Sequence, residues 1–349
     1  MNFKGLAACL CLLSLFGCNS SRPSKQAVDQ QQQYILGFYN VENLFDTRDN
    51  PNKIDEDFLP SGRYQWTDEK YQVKLTNIAK AIALMGTKGP DVIGLAEVEN
   101  EAVLADLVKQ AALSPHAYKI VHEESPDMRG IDVALLYDPS AFTYQDHKAY
   151  EMNFPAEPDY TSRKVLWVKG QMNGQTIHLL VNHWPSRRGG QEESEPRRTV
   201  VAEQVRKIVD EIYTKEKDAN VILMGDFNDD PFNKSIVEVM RAKKSPDNIG
   251  ETELYNATAS LHQPADQGTL TYKGKWNLFD QMLLSQDLVN GQNGLQYVKG
   301  STTIHGPEVL QVGGNGRAKD MPRRAIYRGE FQENGYSDHF GVYLTLKSR

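Results

Sequence analysis

Cysteine is nearly absent from this chain of 349 residues, and the few cysteines present are confined to one end. Cys9, Cys11 and Cys18 all lie within the first 18 residues. The rest of the chain can therefore form no disulfide framework, no cysteine-ligated zinc site and no thiol nucleophile. Any chemistry carried by the body of the protein must use oxygen and nitrogen groups.

The sequence also has no excess of positive charge. Its 46 acidic residues outnumber its 39 basic residues, which gives a formal net charge of −7. Because nucleic-acid phosphates favour a basic surface, this balance counts against a protein that packages DNA non-specifically. It counts less against an enzyme whose metal ion supplies positive charge locally.

The first 17 residues are typical of an export signal. Lys4 precedes an apolar run over 6–16, which is too short for a membrane-spanning helix, and small Gly17 precedes Cys18. Residues 15–18 (Leu-Phe-Gly-Cys) resemble a bacterial lipobox, in which the cysteine becomes the lipid-modified first residue. We therefore predict a signal peptide over 1–17, lipidation of Cys18 and a flexible polar tether over 18–33. The alternative is an ordinary secretory signal that is cleaved nearby.

Either signal predicts export from the cytoplasm. The lipoprotein reading adds a membrane anchor, on the periplasmic or cell-surface side of a bacterium.

From Tyr34 onward, short apolar runs alternate with polar residues. We predict strands at 34–39, 91–96, 131–137, 165–169, 176–182, 221–225, 279–284 and 341–346, and helices at 70–85, 100–112 and 198–213. Several strands follow one another without an intervening helix, which favours a layered mixed-sheet sandwich over a strict βαβ barrel. No linker interrupts 34–349, so we predict a single domain there.

Polar residues that can handle a metal ion or a proton stand at the ends of these strand-like runs. They are Asn40, Glu97, His183, Asp226, Asn228, Asp280, Asp338 and His339. Side chains at strand ends converge at one rim of a layered sandwich, so we expect these residues to form one site. Carboxylates without cysteine suit a hard cation such as Mg²⁺ or Mn²⁺, and two histidines can supply an acid and a base.

Four of these segments resemble the endonuclease/exonuclease/phosphatase superfamily, to which deoxyribonuclease I, apurinic endonucleases, sphingomyelinases and inositol-polyphosphate 5-phosphatases belong. The segments are Asn-Val-Glu-Asn-Leu-Phe-Asp (40–46), Leu-Ala-Glu-Val-Glu (95–99), Gly-Asp-Phe-Asn-Asp (225–229) and Ser-Asp-His-Phe-Gly-Val (337–342). Their order and spacing match over about residues 34–347. The resemblance implies an α+β fold, a four-layer sandwich of two packed mixed β-sheets flanked by helices, with a catalytic domain over 34–349.

The resemblance also implies which residues hold the metal ion and the phosphate. Glu97 is the main metal ligand, Asp338 lies beside the metal, and Asn40 contacts metal or phosphate. Asn228 holds the phosphate, and Arg163 resembles a phosphate-contacting arginine of the deoxyribonuclease I branch. The implied cofactor is Mg²⁺ or Mn²⁺.

The same resemblance implies roles in moving protons. Asp226 orients or deprotonates the attacking water, and His339 contacts the scissile phosphate while Asp280 orients it. His183 matches a second histidine of the deoxyribonuclease I branch and is a candidate general acid for the leaving oxygen. Asp132 is the candidate carboxylate partner of His183.

Basic residues lie close to this constellation in the sequence. They are Arg187, Arg188, Arg197 and Arg198 after His183, and Arg317, Lys319, Arg323, Arg324 and Arg328 before Ser337. Basic loops beside a phosphodiester-cleaving site are where a nucleic-acid backbone would lie. The leading prediction is a monomeric, metal-dependent extracytoplasmic endonuclease that acts on nucleic acid, with no protein partner.

Two alternatives stay open. A phosphatase or phosphodiesterase acting on inositol phosphates, phospholipid headgroups or other small phosphoesters would use the same residues. A surface-binding lipoprotein with a dead hydrolase fold is the other alternative, and loss of a metal-binding or proton-handling residue would identify it. All the core positions are present in this chain.

Overall fold

The computed structural model describes Met1 and residues 31–262, 267–313 and 320–349. Contacts divide the chain into Met1–Gln31 and Gln32–Arg349, and the second unit is described below. The predicted signal peptide beyond Met1, the lipidation at Cys18 and most of the tether lie outside the described residues, as do Arg317 and Lys319. Among the residues that the structure covers, no helix combines the length and the apolar character needed to cross a membrane.

Strands form most of the regular structure. They are β1 (Gln33–Leu44), β2 (Val92–Val98), β3 (Lys119–His122), β4 (Asp132–Tyr137), β5 (Thr143–Tyr150), β6 (Val165–Met172), β7 (Gln175–His183), β8 (Asn220–Asp226), β9 (Ala242–Lys243), β10 (Leu254–Asn256), β11 (Leu270–Tyr272), β12 (Lys275–Asn277), β13 (Asp280–Ser285), β14 (Leu295–Tyr297), β15 (Thr303–His305), β16 (Ile326–Tyr327), β17 (Glu330–Phe331) and β18 (Gly341–Ser348). The α-helices are α1 (Asp68–Ala83), α2 (Glu101–Val108), α3 (Gln191–Lys215) and α4 (Gln286–Asn290).

Two seven-stranded sheets contain most of these strands. The first has the order β14-β18-β1-β2-β4-β3, with β15 also paired to β18, and the second has the order β5-β6-β7-β8-β13-β10-β9. Both are mixed, because β1 pairs in parallel with β2 and β7 pairs in parallel with β8, whereas the other neighbours of β1 and β7 are antiparallel. The β11-β12 and β16-β17 hairpins form separate two-stranded sheets.

Alternating side chains along the strands stack these sheets and helices into layers. In β8, Ile222 and Met224 belong to the core shared by the two sheets, whereas Val221 and Leu223 pack with α3. On the other side of the molecule, Ile93 of β2 packs in the core formed with α1 and α2. Successive strand residues point to opposite faces, so each sheet is covered on both sides. The predicted four-layer α+β sandwich is confirmed.

Helix boundaries differ from the prediction at several ends, and a side-chain cap sets one of them. Helix α1 begins at Asp68, because the Thr67 side chain accepts a hydrogen bond from the Lys70 amide. Helix α2 ends at Val108 rather than at 112. Helix α3 begins at Gln191 rather than at 198, with acidic residues in its first turn, which a helix N-terminus favours. The segment 191–197, which lies outside the predicted helices, is therefore helical.

Two strands depart from the simple apolar pattern. Strand β1 was predicted to end before Asn40 but continues to Leu44, and its register with β2 shifts between these two residues. Within this irregular stretch, Glu42 and Asn43 have φ angles of +53° and +52°. Strand β5 was not predicted, because it is a mostly exposed strand at the sheet edge without alternating apolar residues.

His305 makes folding stability depend on pH. Burial lowers its pKa to about 4, and its Nε2 donates a hydrogen bond to the Ala81 carbonyl (2.9 Å). Between pH 6.5 and pH 4 the unfolded chain therefore binds more protons at this position than the folded chain. Stability falls as the pH falls through this window, by about 3 kcal/mol at pH 4 from this group alone.

We predict that His305→Gln, which keeps a donor but does not titrate, loses less stability on acidification. Urea unfolding of both proteins at pH 7 and pH 4 measures the difference, because the other titrating groups contribute equally to both. An equal loss in both proteins would contradict the assignment.

Candidate active site

Three neighbouring strands of the second sheet place one carboxylate between two other polar side chains. Asp226 ends β8, and the strand register pairs it with His183 at the end of β7 and with Asp280 at the start of β13. Strand β7 runs parallel to β8 and β13 runs antiparallel to it, so these three strand ends meet at one edge. The His183 Nε2 atom lies 3.7 Å from Asp226 Oδ2.

Asn40 and Glu97 reach the same point from the first sheet. The Asn40 Nδ2 donates to Asp226 Oδ2 (3.1 Å) and lies 3.4 Å from Glu97 Oε1. The Asn43 amide donates to Glu97 Oε2 (3.0 Å). Glu97 has a φ of +64°, at a point where the register of β2 against β4 shifts. A non-glycine residue is held in this region only when its surroundings impose it, so the backbone helps to aim this carboxylate.

His339 closes the site next to Asp280. Its Nδ1 lies 2.7 Å from Asp280 Oδ2, and its Nε2 lies 3.8 Å from Asp226 Oδ2. Ser337 fixes the segment to β1, because its hydroxyl donates to the Asn40 carbonyl (2.7 Å) and accepts from the His339 amide (3.0 Å). The predicted His339–Asp280 contact is therefore present in the structure.

Asn228 lies beside Asp226 in a turn that packs on Trp184. Its amide donates to Asp226 Oδ1 (2.9 Å), and its side chain donates to the Trp184 carbonyl (3.0 Å). The Trp184 ring is fully buried and packs edge-on against Phe227. This ring supports the turn and is not available to stack on a ligand.

The two histidines of the site differ in charge. Burial acts to lower the pKa of His339, but the charge and hydrogen bond of Asp280 raise it well above its ordinary value. Burial lowers the pKa of His183 well below its ordinary value, and the Arg163 cation lowers it further. At neutral pH, His339 is therefore an imidazolium and His183 is neutral. Burial, together with the charge of Asp280, raises the pKa of Asp226 to about 7.

Asp132 does not pair with His183, contrary to the prediction. Its Oδ2 lies 3.0 Å from His122 Nε2, and its Oδ1 accepts from the Ser125 amide (2.8 Å). His122 and Asp132 lie on adjacent strands of the first sheet, whereas His183 lies in the second sheet. The buried Nδ1 of His183 has no hydrogen-bond partner among the described residues. Because its Nε2 faces carboxylates, a proton on that atom is favoured.

Most of the predicted basic residues near His183 are neutralised by ion pairs with carboxylates. The ion pairs are Arg163–Asp127, Arg187–Asp229, Arg187–Asp230, Arg197–Glu157 and Arg198–Asp229. The guanidinium of Arg163 also donates to the Trp184 carbonyl, and its side chain is buried. Arg163 therefore acts on the site through its charge next to His183, and these contacts do not leave it free to hold a phosphate as predicted.

The site gathers more negative than positive charge. Four carboxylates converge on the two histidines: Glu97 lies next to His183, Asp280 and Asp338 lie next to His339, and Asp226 lies between the two rings. Within the described part of the chain, none of them forms an ion pair with lysine or arginine. Hard oxygen donors with uncompensated charge fit Mg²⁺ or Mn²⁺. Glu97 and Asp338, which are partly exposed, and the Asn40 side chain are the groups that would hold the ion.

Glu42 and Lys74 support the site, and we did not predict a role for either residue. The buried Glu42 carboxylate accepts hydrogen bonds from the Ala325 and Ile326 amides (2.6 and 3.3 Å). Fully buried Lys74 donates to the Tyr336 carbonyl (2.7 Å), directly before the Ser-Asp-His segment. A lysine among the mostly apolar residues on the buried face of α1 is the sequence signal that could have identified this contact.

The family model described as "Endonuclease/Exonuclease/phosphatase family" matches residues 35–348. This match covers the chain from β1 to β18 and includes every residue of the site. No curated protein sequence matches the chain.

Solved structures with a similar fold come from several organisms. They include D. rerio TDP2 complexed with a single-strand DNA product, a mannosyl-6-phosphatase of Bacteroides thetaiotaomicron and the human Nocturnin catalytic domain. The identities are 17%, 15% and 14%, and the TM-scores are 0.54, 0.55 and 0.54. The alignments cover 90%, 90% and 92% of this chain and 98%, 99% and 98% of the others. At these identities the likeness establishes the fold alone.

The contact between Asp280 and His339 predicts a change in the titration of the imidazole. Asp280→Asn removes the charge that counts most in raising the pKa of His339, so we expect that pKa to fall toward or below its ordinary value. NMR titration of the His339 ring signals in both proteins measures the shift. An unchanged pKa in the variant would show that Asp280 does not hold the proton on His339.

Proposed function

Because the chain belongs to the endonuclease/exonuclease/phosphatase family of phosphoester hydrolases, we propose that it is a divalent-cation-dependent phosphodiesterase that cuts nucleic acid as an endonuclease. The family resemblance of the four sequence motifs is confirmed by the match over residues 35–348. The choice of a nucleic-acid phosphodiester as the substrate is our proposal.

The arrangement around Asp226 is the observation that carries this proposal. Its Oδ2 atom lies 3.7 Å from the neutral His183 ring and 3.8 Å from the charged His339 ring, and it also accepts from Asn40. A phosphoryl group held between the two rings would meet donors on both sides and a carboxylate at the point of attack. Preorganised donors of this kind stabilise the charge that develops on phosphoryl oxygens.

Each side chain has a distinct part in handling protons. The Asp226 carboxylate, whose pKa lies at about 7, accepts the proton of the attacking water. The His339 imidazolium donates to the phosphoryl oxygens or to the leaving oxygen, and Asp280 holds it in the charged form. Neutral His183 donates one hydrogen bond but holds no additional proton, so the proton for the leaving group comes more readily from His339.

The cation would be held by Glu97, Asn40 and Asp338. When bound, a divalent cation neutralises charge on the phosphoryl group and orients it. The carboxylates of Glu97 and Asp338 are hard donors suited to this task, and the Asn43 amide keeps Glu97 in place.

We predict that the purified protein, supplied with Mg²⁺ or Mn²⁺, nicks supercoiled plasmid or cuts a single-stranded oligonucleotide. EDTA should abolish the activity, and His339→Ala should lower kcat by about 10²- to 10⁴-fold because it removes the charged donor. Partly exposed His147, on the edge strand β5, offers a matched control in His147→Ala, which should retain wild-type activity.

Small phosphoesters, including a sugar 6-phosphate, form the second arm of this assay. Release of inorganic phosphate from them, with plasmid and oligonucleotide left intact, would contradict the endonuclease proposal while leaving a phosphoester hydrolase. Wild-type rates in His339→Ala, or activity that resists EDTA, would contradict the roles assigned to the site.

A further inference from the structure

A second concave surface opens beside the site, and we refer to it as the lysine cleft. One wall is the loop with Arg187 and Arg188, and the other is the β11-β12 hairpin with Tyr272, Lys273 and Lys275. The cleft has a volume of about 830 Å³, which lies within the range of ligand-binding sites in proteins. Among the described residues that line it, none is acidic.

The cations of the hairpin differ from those buried near His183. Lys273 and Lys275 are exposed, and neither has an ion pair within the described ranges of the chain, whereas Arg187 is held by Asp229 and Asp230. In a chain with a net charge of −7, an acid-free cleft with unpaired lysines is a local exception. Such a surface attracts anions, most strongly at low salt.

The hairpin also presents an aromatic ring to solvent. Tyr272 is 64% exposed, and the Lys273 ammonium lies 5.1 Å from the centre of its ring. Lys273 and Gly274 join the two strands with φ angles of +50° and +78°, as a tight two-residue hairpin turn requires. The turn therefore fixes the ring and the two lysines on one short, defined element.

The lysine cleft adjoins the site through Phe279 and Arg187. Phe279, which lines the cleft, directly precedes Asp280, and the Arg187 guanidinium lies 4.4 Å from the centre of the Phe279 ring. The Arg187 Nε donates to the Asn228 carbonyl (2.9 Å). A chain that has one phosphate at Asp226 can therefore continue into the cleft.

We infer that the lysine cleft binds the strand of a single-stranded nucleic acid that adjoins the cleaved phosphodiester, with Lys273 and Lys275 on its phosphates and Tyr272 stacked on a base. This inference rests on the proposed phosphodiesterase function and adds the form of the substrate. An exposed ring stacks on bases that are not paired, and lysines beside it follow the backbone without reading sequence. A base paired in a duplex does not offer its face to Tyr272.

The test uses the full chain and measures binding separately from cleavage. A fluorescein-labelled 12-nucleotide single strand is titrated in EDTA by anisotropy, and cleavage is then measured with Mg²⁺. The variants are Lys273→Ala/Lys275→Ala and Tyr272→Ala. The matched control is Lys244→Ala/Lys299→Ala, which removes two exposed lysines that do not line the cleft.

We expect the Lys273→Ala/Lys275→Ala variant to have a Kd and a KM for the oligonucleotide that are about tenfold higher at low salt. The slope of log Kd against log salt should fall by about 1.4, since each of the two lost phosphate contacts on a single strand contributes about 0.7. Tyr272→Ala should weaken binding by about 5- to 150-fold. The control variant, and the rate of bis(p-nitrophenyl) phosphate hydrolysis in all variants, should stay at wild-type values.

The possible outcomes separate this inference from the proposed function. Lysine-dependent binding of the oligonucleotide without any cleavage supports the cleft and contradicts the nuclease proposal. If the protein cleaves the oligonucleotide but the cleft variants keep the wild-type Kd and KM, the inferred role of the cleft is wrong. It is also wrong if the control variant loses as much affinity as the cleft variants. Equal loss of bis(p-nitrophenyl) phosphate hydrolysis also overturns it, and so does tighter binding of a 12-base-pair duplex than of the single strand.

Discussion

The site depends on an imbalance of charge. Glu97, Asp226, Asp280 and Asp338 converge from both sheets, and among the described residues no lysine or arginine forms an ion pair with them. Burying carboxylates this close together is unfavourable unless a cation or a proton compensates them. Two consequences follow from this crowding of carboxylates. His339 is held as an imidazolium, and the pKa of Asp226 is raised to about 7.

The sandwich supplies the rigidity that this repulsive arrangement needs. Strand register places His183 and Asp280 on either side of Asp226, and the Ser337 hydroxyl ties the His339 segment to β1. Two residues at the rim, Glu97 and Asn228, have the positive φ angles that strain a non-glycine backbone. The layers behind the rim are apolar and continuous, so they can hold these conformations in place.

The sequence was most informative where chemistry and local structure coincide. Asp226 and His339 each stand next to an apolar strand in a short motif, so both their presence and their convergence could be predicted. Contacts that depend on side-chain reach between strands could not be predicted, and Asp132 consequently pairs with His122 rather than with His183. The basic residues that follow His183 in the sequence were equally misleading, because ion pairs with carboxylates neutralise arginines that appear free in the sequence. The hairpin lysines precede Asp280 closely in the sequence but were not singled out, because only the folded chain brings the Arg187 loop against the hairpin to form the cleft.

Binding of Mn²⁺ tests most directly whether the uncompensated carboxylates form a cation site. Isothermal titration calorimetry would compare the wild-type protein with Glu97→Gln, and with Glu203→Gln on the exposed face of α3 as the matched control. We expect saturable Mn²⁺ binding that Glu97→Gln weakens about tenfold or more and that Glu203→Gln leaves unchanged. Equal binding by all three proteins, or none by the wild type, would contradict it.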